Sequence, residues 1–164
     1  MTSLSPKRAE ESATEMVQVV LPNDANPLGF MLGGTVMHLI DIAGAIACYR
    51  HARQRVVTAA VDDLQFLHSI RVGDLIILQA RVTCAFTTSL EVRVDVFSEE
   101  TLTGDRQLTS RAFLTFVAID EAGAKVPVPP LAIETEAEEQ ICRDAHARRA
   151  ARLLRKAEAK SPSA

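Results

Sequence analysis

The chain has 164 residues, within the roughly 100–200 expected of one domain and enough to bury a core without covalent staples. Apolar residues make up 48% and charged residues 24%, which excludes a disordered chain. A net charge of −3, 4% aromatics and no Trp exclude a generally basic nucleic-acid binder and a base-stacking platform.

The N-terminal stretch MTSLSPKRAEESATE is polar and lacks the apolar core of a signal peptide. No run approaches the roughly 18 apolar residues of a membrane span. Residues 1–14 read as a flexible tail. Glu15–Leu21 is β-branched and ends at Pro22, so it reads as a strand. A breaker-rich loop follows, from Pro22 to Gly29. After Gly33-Gly34 the pattern turns helical.

The segment TVMHLIDIAGAIACYRHA is apolar on nearly every side. Val36, Leu39, Ile40, Ala43, Ile46 and Ala47 form one face, and Met37, Ile42 and Ala45 fill much of the rest. Such a helix is expected to be buried. Arg50, His51 and Arg53 mark its polar exit. Four strands are then expected. Arg55–Leu67 is the first. In Leu75–Phe86, Ile76, Leu78, Ala80, Val82, Cys84 and Phe86 alternate onto one face. Thr87-Thr88 turns the chain. Leu90, Val92, Val94 and Val96 alternate with Glu91, Arg93 and Asp95, and the last strand spans about Arg106 to Ile119.

A strand, a buried helix and an antiparallel meander give an α+β fold: a curved five-stranded antiparallel sheet wrapped around one long helix, the hotdog architecture. An open sheet edge predicts edge-to-edge pairing in a dimer. The domain is expected over residues 15–132, with a charged helix and tail over 133–164.

Charge is uneven. Residues 1–142 carry 11 Lys+Arg against 19 Asp+Glu, and residues 143–164 carry 7 against 2. Acids first and bases last suit the dipole of a helix from about Thr135 to Lys156, read as solvated. Cys48, Cys84 and Cys142 are widely spaced, with no Cys-x-x-Cys pair, so neither a zinc ribbon nor a disulfide framework is expected. The compartment reads as reducing and cytoplasmic, with no membrane and no nucleic-acid partner.

Asp41 is the anomaly. It lies seven residues past Gly34, too deep to cap the helix, between Ile40 and Ile42. A carboxylate in an apolar helix is costly unless paired or placed in a site. Burial raises a carboxyl pKa toward the range of a general base, but an Asp bonded to a neighbouring strand explains it equally well. The small Ala43 and Gly44 permit close approach to the helix. The start at Gly33-Gly34 offers free amides and a positive dipole end to an oxyanion, or is simply a tight turn. Asn26, before Pro27, is a turn residue or the orienter of a water. His38 and Asp41 share a helix face, but no third metal ligand accompanies them. His51, His68 and His146 read as surface or loop residues. Gly-x-Ser-x-Gly, His-Glu-x-x-His, phosphate-loop and dinucleotide-binding motifs are absent.

The stretch LPNDANPLGFMLGGTVMHLIDIAGAIA resembles the acyl-CoA thioesterases of the hotdog superfamily, as do VVTAAVDDLQFL and PVPPLAIETEAEE. The resemblance covers about residues 15–140. It implies hydrolysis of acyl-CoA to a free acid and CoA, a place in fatty-acid metabolism, and no cofactor or metal beyond the CoA of the substrate. It implies that Asp41 acts as base or nucleophile, that Asn26 assists from the opposite subunit, and that amides at Gly33 and Gly34 hold the oxyanion. A homodimer as the minimal active unit and a homohexamer, a trimer of dimers, are also implied. Pro27 and Leu32 depart from the family pattern. For the CoA phosphates the candidates are Thr58, Thr87, Thr88, Ser89 and Arg111, with Arg111 preferred because guanidinium binds phosphate in a bidentate manner. The rival functions are a hotdog hydratase or dehydratase and a non-catalytic acyl-CoA sensor.

Overall fold

The computed structural model describes residues 4–159. Residues 1–3 and 160–164, parts of the two expected tails, lie outside the described residues. The elements in chain order are β1 (Lys7–Arg8), β2 (Thr14–Val19), α1 (Gly33–Ala52), β3 (Arg55–Phe66), β4 (Leu75–Ala85), β5 (Ser89–Glu99), β6 (Arg106–Ile119), β7 (Leu131–Ala132) and α2 (Glu136–Glu158). No helix among the described residues is long and apolar enough to cross a membrane.

Five strands form one antiparallel sheet in the order β2-β4-β5-β6-β3. Only β4, β5 and β6 form the expected meander. β3 pairs with β6 at the far edge instead of with β4. Alternation reveals which face a residue occupies and not which strand lies beside it. The link at residues 67–74 carries the chain from one edge strand to β4, beyond the reach of a tight hairpin.

Alternate residues of β4, β5 and β6 line the inner face: Leu78, Val82, Val92, Val94, Leu114 and Phe116 are all buried. They pack on Val36, Leu39, Ile40, Ala43 and Ala47 of α1 in one continuous core. The approach is close because Gly44 has no side chain. A Cβ there would stand 2.9 Å from Cε2 of the buried Phe116. The helix ends at Arg53, whose left-handed φ of 52° lets its N–H donate to Tyr49 O at 2.9 Å.

The inner alternation breaks at Thr83. Val82 pairs with Val92, but Cys84 pairs with Glu91, so β4 carries one extra residue. The bulge turns Cys84 and Phe86 onto the outer face, opposite to the side that alternation predicts. There Cys84 meets α2 and forms a disulfide with Cys142, with Cα atoms 5.0 Å apart. A disulfide is therefore present where none was expected, because the bulge and α2 join cysteines that are 58 residues apart.

The C-terminal helix is likewise not a solvated rod. Thr135 caps it in a capping box: its hydroxyl accepts from Glu138 N–H, and Glu138 Oε2 accepts from Thr135 N–H. Arg148 then reaches the sheet, donating from Nε and Nη2 to both oxygens of the buried Glu91 at 2.9 and 2.7 Å. Its guanidinium also covers the Phe113 ring at 3.9 Å. Arg152 pairs with Asp62 of β3.

Two further expectations are corrected. Residues 7–14 are not a loose tail. β1 pairs in parallel with β7, and the buried Ser12 accepts a hydrogen bond from Val82 N–H at 2.9 Å. His51 is fully buried, not at the surface. It lies in the last turn of α1 on the side facing the Pro-rich segment, where Nε2 lies 2.9 Å from Pro129 O. Its Nδ1 has no partner among the described residues.

Burial pushes the His51 pKa below its ordinary value, with Lys7 adding to the shift and the Pro129 contact and Glu11 opposing it. The unfolded chain therefore takes up this proton first. The neutral-His contribution is complete above about pH 6.5 and is lost as pH falls below it, by at most about 1.4 kcal/mol per pH unit. Urea unfolding at pH 7 and pH 5.5 should show a loss that His51→Gln reduces. An equal loss in both proteins would place the acid sensitivity elsewhere.

Candidate active site

The loop from Pro22 to Gly29 is set by Asn26. Its side-chain Oδ1 accepts from Leu28 N–H at 3.0 Å and Phe30 N–H at 3.2 Å, while its backbone N–H donates to Phe30 O at 2.8 Å. This fixes the side chain at the wall of a cleft of about 340 Å³. Gly33, Val36, Phe66 and Ile70 line the same cleft, with His68, Ser69 and Ser110 adding polar atoms. Sequence reasoning did not single out Phe66, Ser69 or Ser110 as site residues, and read His68 as surface. His68 is indeed exposed, yet it lines the cleft. Their position depends on β3 ending opposite Ser110 of β6 beside the helix start, which no local motif announces.

Leu32 precedes α1 and makes no side-chain cap hydrogen bond, so the first amides of the helix have no side-chain partner there. A Cβ at Gly33 would stand 3.4 Å from Phe66, and one at Gly34 would meet nothing within 4 Å. The helix start is therefore approachable beside Asn26.

Asp41 lies elsewhere. It is eight residues along α1 from Gly33, about 12 Å along the axis at 1.5 Å per residue. It does not line the Asn26 cleft. Thr58 of β3 donates its hydroxyl to Asp41 Oδ1 at 2.6 Å. Thr58, a candidate phosphate contact, thus holds the carboxylate. Asp41 is only half-buried, in a stripe of α1 that the sheet of its own chain does not cover. Met37 and Tyr49 in this stripe are 46% and 47% exposed, and His38 is exposed beside them. The helix apolar on all sides is therefore buried on one side only within a single chain. The adjacent edge strand β3 also exposes Val57, Val61 and Phe66.

The other CoA candidates are not gathered in one place. Thr87 and Thr88 lie in the β4–β5 turn and Ser89 opens β5. Thr88 O accepts from Ala118 N–H at 2.9 Å and Thr87 O from Val128 N–H at 3.1 Å, which pins the turn to the end of β6. Ser89 pairs with Val117, and Thr58 pairs with Phe116 on the other side of β6. Arg111 is six residues from Val117 along that strand, roughly 20 Å at the rise of a β-strand. Its Nε donates to the buried Asp95 at 2.5 Å, and Arg93 holds the other oxygen at 3.1 Å. Arg111 therefore already has a carboxylate partner.

Two half-sites result: an amide, open helix N–H groups and a cleft at one end, and a hydroxyl-held carboxylate on an uncovered helix face at the other. The model of the thioesterase superfamily matches residues 28–104. An acyl-CoA thioester hydrolase of Bacillus subtilis, itself uncharacterised, is 41% identical over 129 residues, covering 79% of this chain and 75% of the relative. The crystal structure of an apo hexameric acyl-CoA thioesterase aligns at TM-score 0.88 and 42% identity over 94% of this chain and 99% of that one. The Staphylococcus aureus acyl-CoA hydrolase, solved with butyryl-CoA and CoA, aligns at 0.86 and 35%, covering 94% of both chains. The chain spans only 36% of the human cytosolic acyl coenzyme A thioester hydrolase, at 33% identity.

Proposed function

From the chain's membership of the hotdog-fold acyl-CoA thioesterase family, we propose that it hydrolyses acyl-CoA to a carboxylic acid and CoA at a site completed by two protomers. It is a thioester hydrolase. The observation that carries it is the 2.6 Å Thr58–Asp41 hydrogen bond on a helix face uncovered by its own sheet. Thr58 orients the carboxylate by holding one oxygen, leaving the other to take a proton.

The thioester lies against α1 of one protomer, its carbonyl oxygen toward the amides at Gly33 and Gly34, where developing negative charge is stabilised. Asn26 lies on the wall of the same cleft and fixes the attacking water. The carboxylate comes from Asp41 of the partner subunit, since within one chain Asp41 stands apart from that cleft. Asp41 removes a proton as water attacks the carbonyl carbon. The tetrahedral intermediate collapses, the C–S bond breaks, and the CoA sulfur leaves with the proton that Asp41 returns. Direct attack by Asp41, through an anhydride that water then opens, gives the same products. We assign Thr87, Thr88 and Ser89 to CoA near the Asp41 half, while Arg111, roughly 20 Å away along β6 and bonded to Asp95, serves a different part of the CoA. The reaction needs no resident cofactor or metal.

Separate solved structures of the S. aureus enzyme carry alanine in place of an asparagine, an aspartate and a threonine. Their separations along that chain equal those of Asn26, Asp41 and Thr58, which supports the assignment. Hexameric neighbours support oligomerisation. We take the homodimer, paired through β3 and the uncovered face of α1, as the active unit, and three such dimers as the hexamer. A cytoplasmic setting in fatty-acid metabolism belongs to the same reading.

Thiol release across acyl-CoAs of graded chain length tests the activity. Release of free CoA with at least one chain length is expected. Tight acyl-CoA binding without thiol release would favour the sensor reading instead.

A further inference from the structure

The outer corner where α2 meets β4 is remote from the cleft and from Asp41, and it gathers soft ligands. Cys84 is buried there by the Thr83 bulge, and Cys142 faces it from α2. His146 follows Cys142 by four residues, on the same helix face. One atom from each, the two Sγ atoms and a ring nitrogen, lie within 4.8 Å of one another. The His146 ring stands edge-on to Phe86, with centroids 5.1 Å apart and planes at 84°, so the imidazole is held at this corner. A disulfide uses two of these groups and involves His146 only through its ring contact with Phe86.

We propose that the reduced form of this corner is a binding site for a thiophilic closed-shell cation, zinc(II) or copper(I), held by Cys84 Sγ, Cys142 Sγ and a ring nitrogen of His146. Two thiolates and one imidazole are a soft donor set, suited to these ions and not to magnesium or calcium. Zinc takes sulfur at about 2.3 Å and nitrogen at about 2.0–2.1 Å, which puts tetrahedral ligand atoms roughly 3.4–3.8 Å apart. Once the S–S bond is gone, rotation of the three side chains reaches that spacing within the 4.8 Å cluster. Two ligands sit one helical turn apart and the third on a strand, so the chelate stands on rigid elements. His146 is exposed, which leaves a fourth position open to water or a small thiol.

The balance is explicit. A dithiol gives two electrons and two protons to the Cys84–Cys142 bond and becomes a disulfide itself. The two protein thiols then lose their protons to solvent as the cation binds. The ion replaces the covalent link and keeps α2 docked.

The test uses full-length protein reduced with excess dithiol, freed of reductant without air, and titrated with cobalt(II) as a spectroscopic stand-in for zinc. One equivalent per chain with a thiolate-to-cobalt charge-transfer band is expected. Zinc should displace the cobalt, and copper(I), delivered from a competing chelator, shows which ion binds tighter. His146→Ala, at an exposed position, should weaken binding at least tenfold. Cys142→Ser should remove most of the band, and Cys48→Ser should leave it intact. Absence of the band in reduced wild type, or undiminished affinity in His146→Ala, would overturn the proposal and leave a plain disulfide. None of these readouts depends on thioesterase activity.

Discussion

Asp41→Asn is expected to lower acyl-CoA hydrolysis by about 10²–10⁴-fold, the usual contribution of a positioned general base. The substitution is nearly isosteric. Its amide oxygen still accepts the Thr58 hydroxyl that now binds Asp41 Oδ1 at 2.6 Å, so α1 and β3 stay in register. What disappears is the ability to take a proton or attack a carbonyl. The loss should fall on kcat, with KM and CoA affinity little changed, because neither the cleft nor the β4–β5 turn is touched. Thr58→Val should show a smaller loss of the same kind, since it releases the carboxylate from its orientation without removing it. Full activity in Asp41→Asn would remove this residue from the chemistry.

The second large effect concerns stability. Arg148→Ala should destabilise the fold by about 3–5 kcal/mol, the cost of stranding a buried charge when its partner is removed. Glu91 is 1% exposed and receives two hydrogen bonds from Arg148. Without them, among the described residues, only the Thr83 hydroxyl, at 2.8 Å, still reaches its carboxylate. The guanidinium's cover over Phe113 would go as well. Glu91→Gln combined with Arg148→Met removes both charges together and should recover most of the loss, because paired buried ions are often replaceable by neutral groups. Chemical denaturation of the three proteins checks this. A change within about 0.5 kcal/mol for Arg148→Ala would mean that the pair behaves as an ordinary surface contact.

This pair also shows where the sequence was legible. The acid-to-base gradient from Glu136 to Lys156 predicts a helix, and Thr135 with Glu138 caps it where expected. The gradient does not reveal that Arg148 and Arg152 meet buried carboxylates, because Glu91 and Asp62 look like the polar half of alternating strands. The apolar run of α1 and the alternation of β4 and β5 specify much of the core directly. The bulge at Thr83 leaves no local trace, so alternation puts Cys84 on the wrong face and hides its disulfide. The edge position of β3 was equally hidden, since edge and centre differ in neighbours and not in pattern.

In the candidate site, the anomaly of Asp41 within LIDIAGA stood out on physical grounds alone. Asn26 did not: its bonds to Leu28 and Phe30 are those of a turn residue, the residues alone leave the turn and the water-orienting readings open, and the family resemblance favours the second. In the sequence Thr58 reads as a CoA contact instead. Its link to Asp41 depends on β3 crossing the helix at that point, a tertiary fact that no spacing encodes.

The shared site is tested most directly by mixing two inactive variants, Asp41→Asn and Asn26→Ala, so that their subunits exchange. In a mixed dimer one site draws an intact Asp41 from one chain and an intact Asn26 from the other, while the second site lacks both. Random re-pairing should therefore restore about a quarter of wild-type thiol release in a symmetric dimer. A mixture that exchanges subunits and remains as inactive as its parents would contradict a catalytic centre built across two protomers.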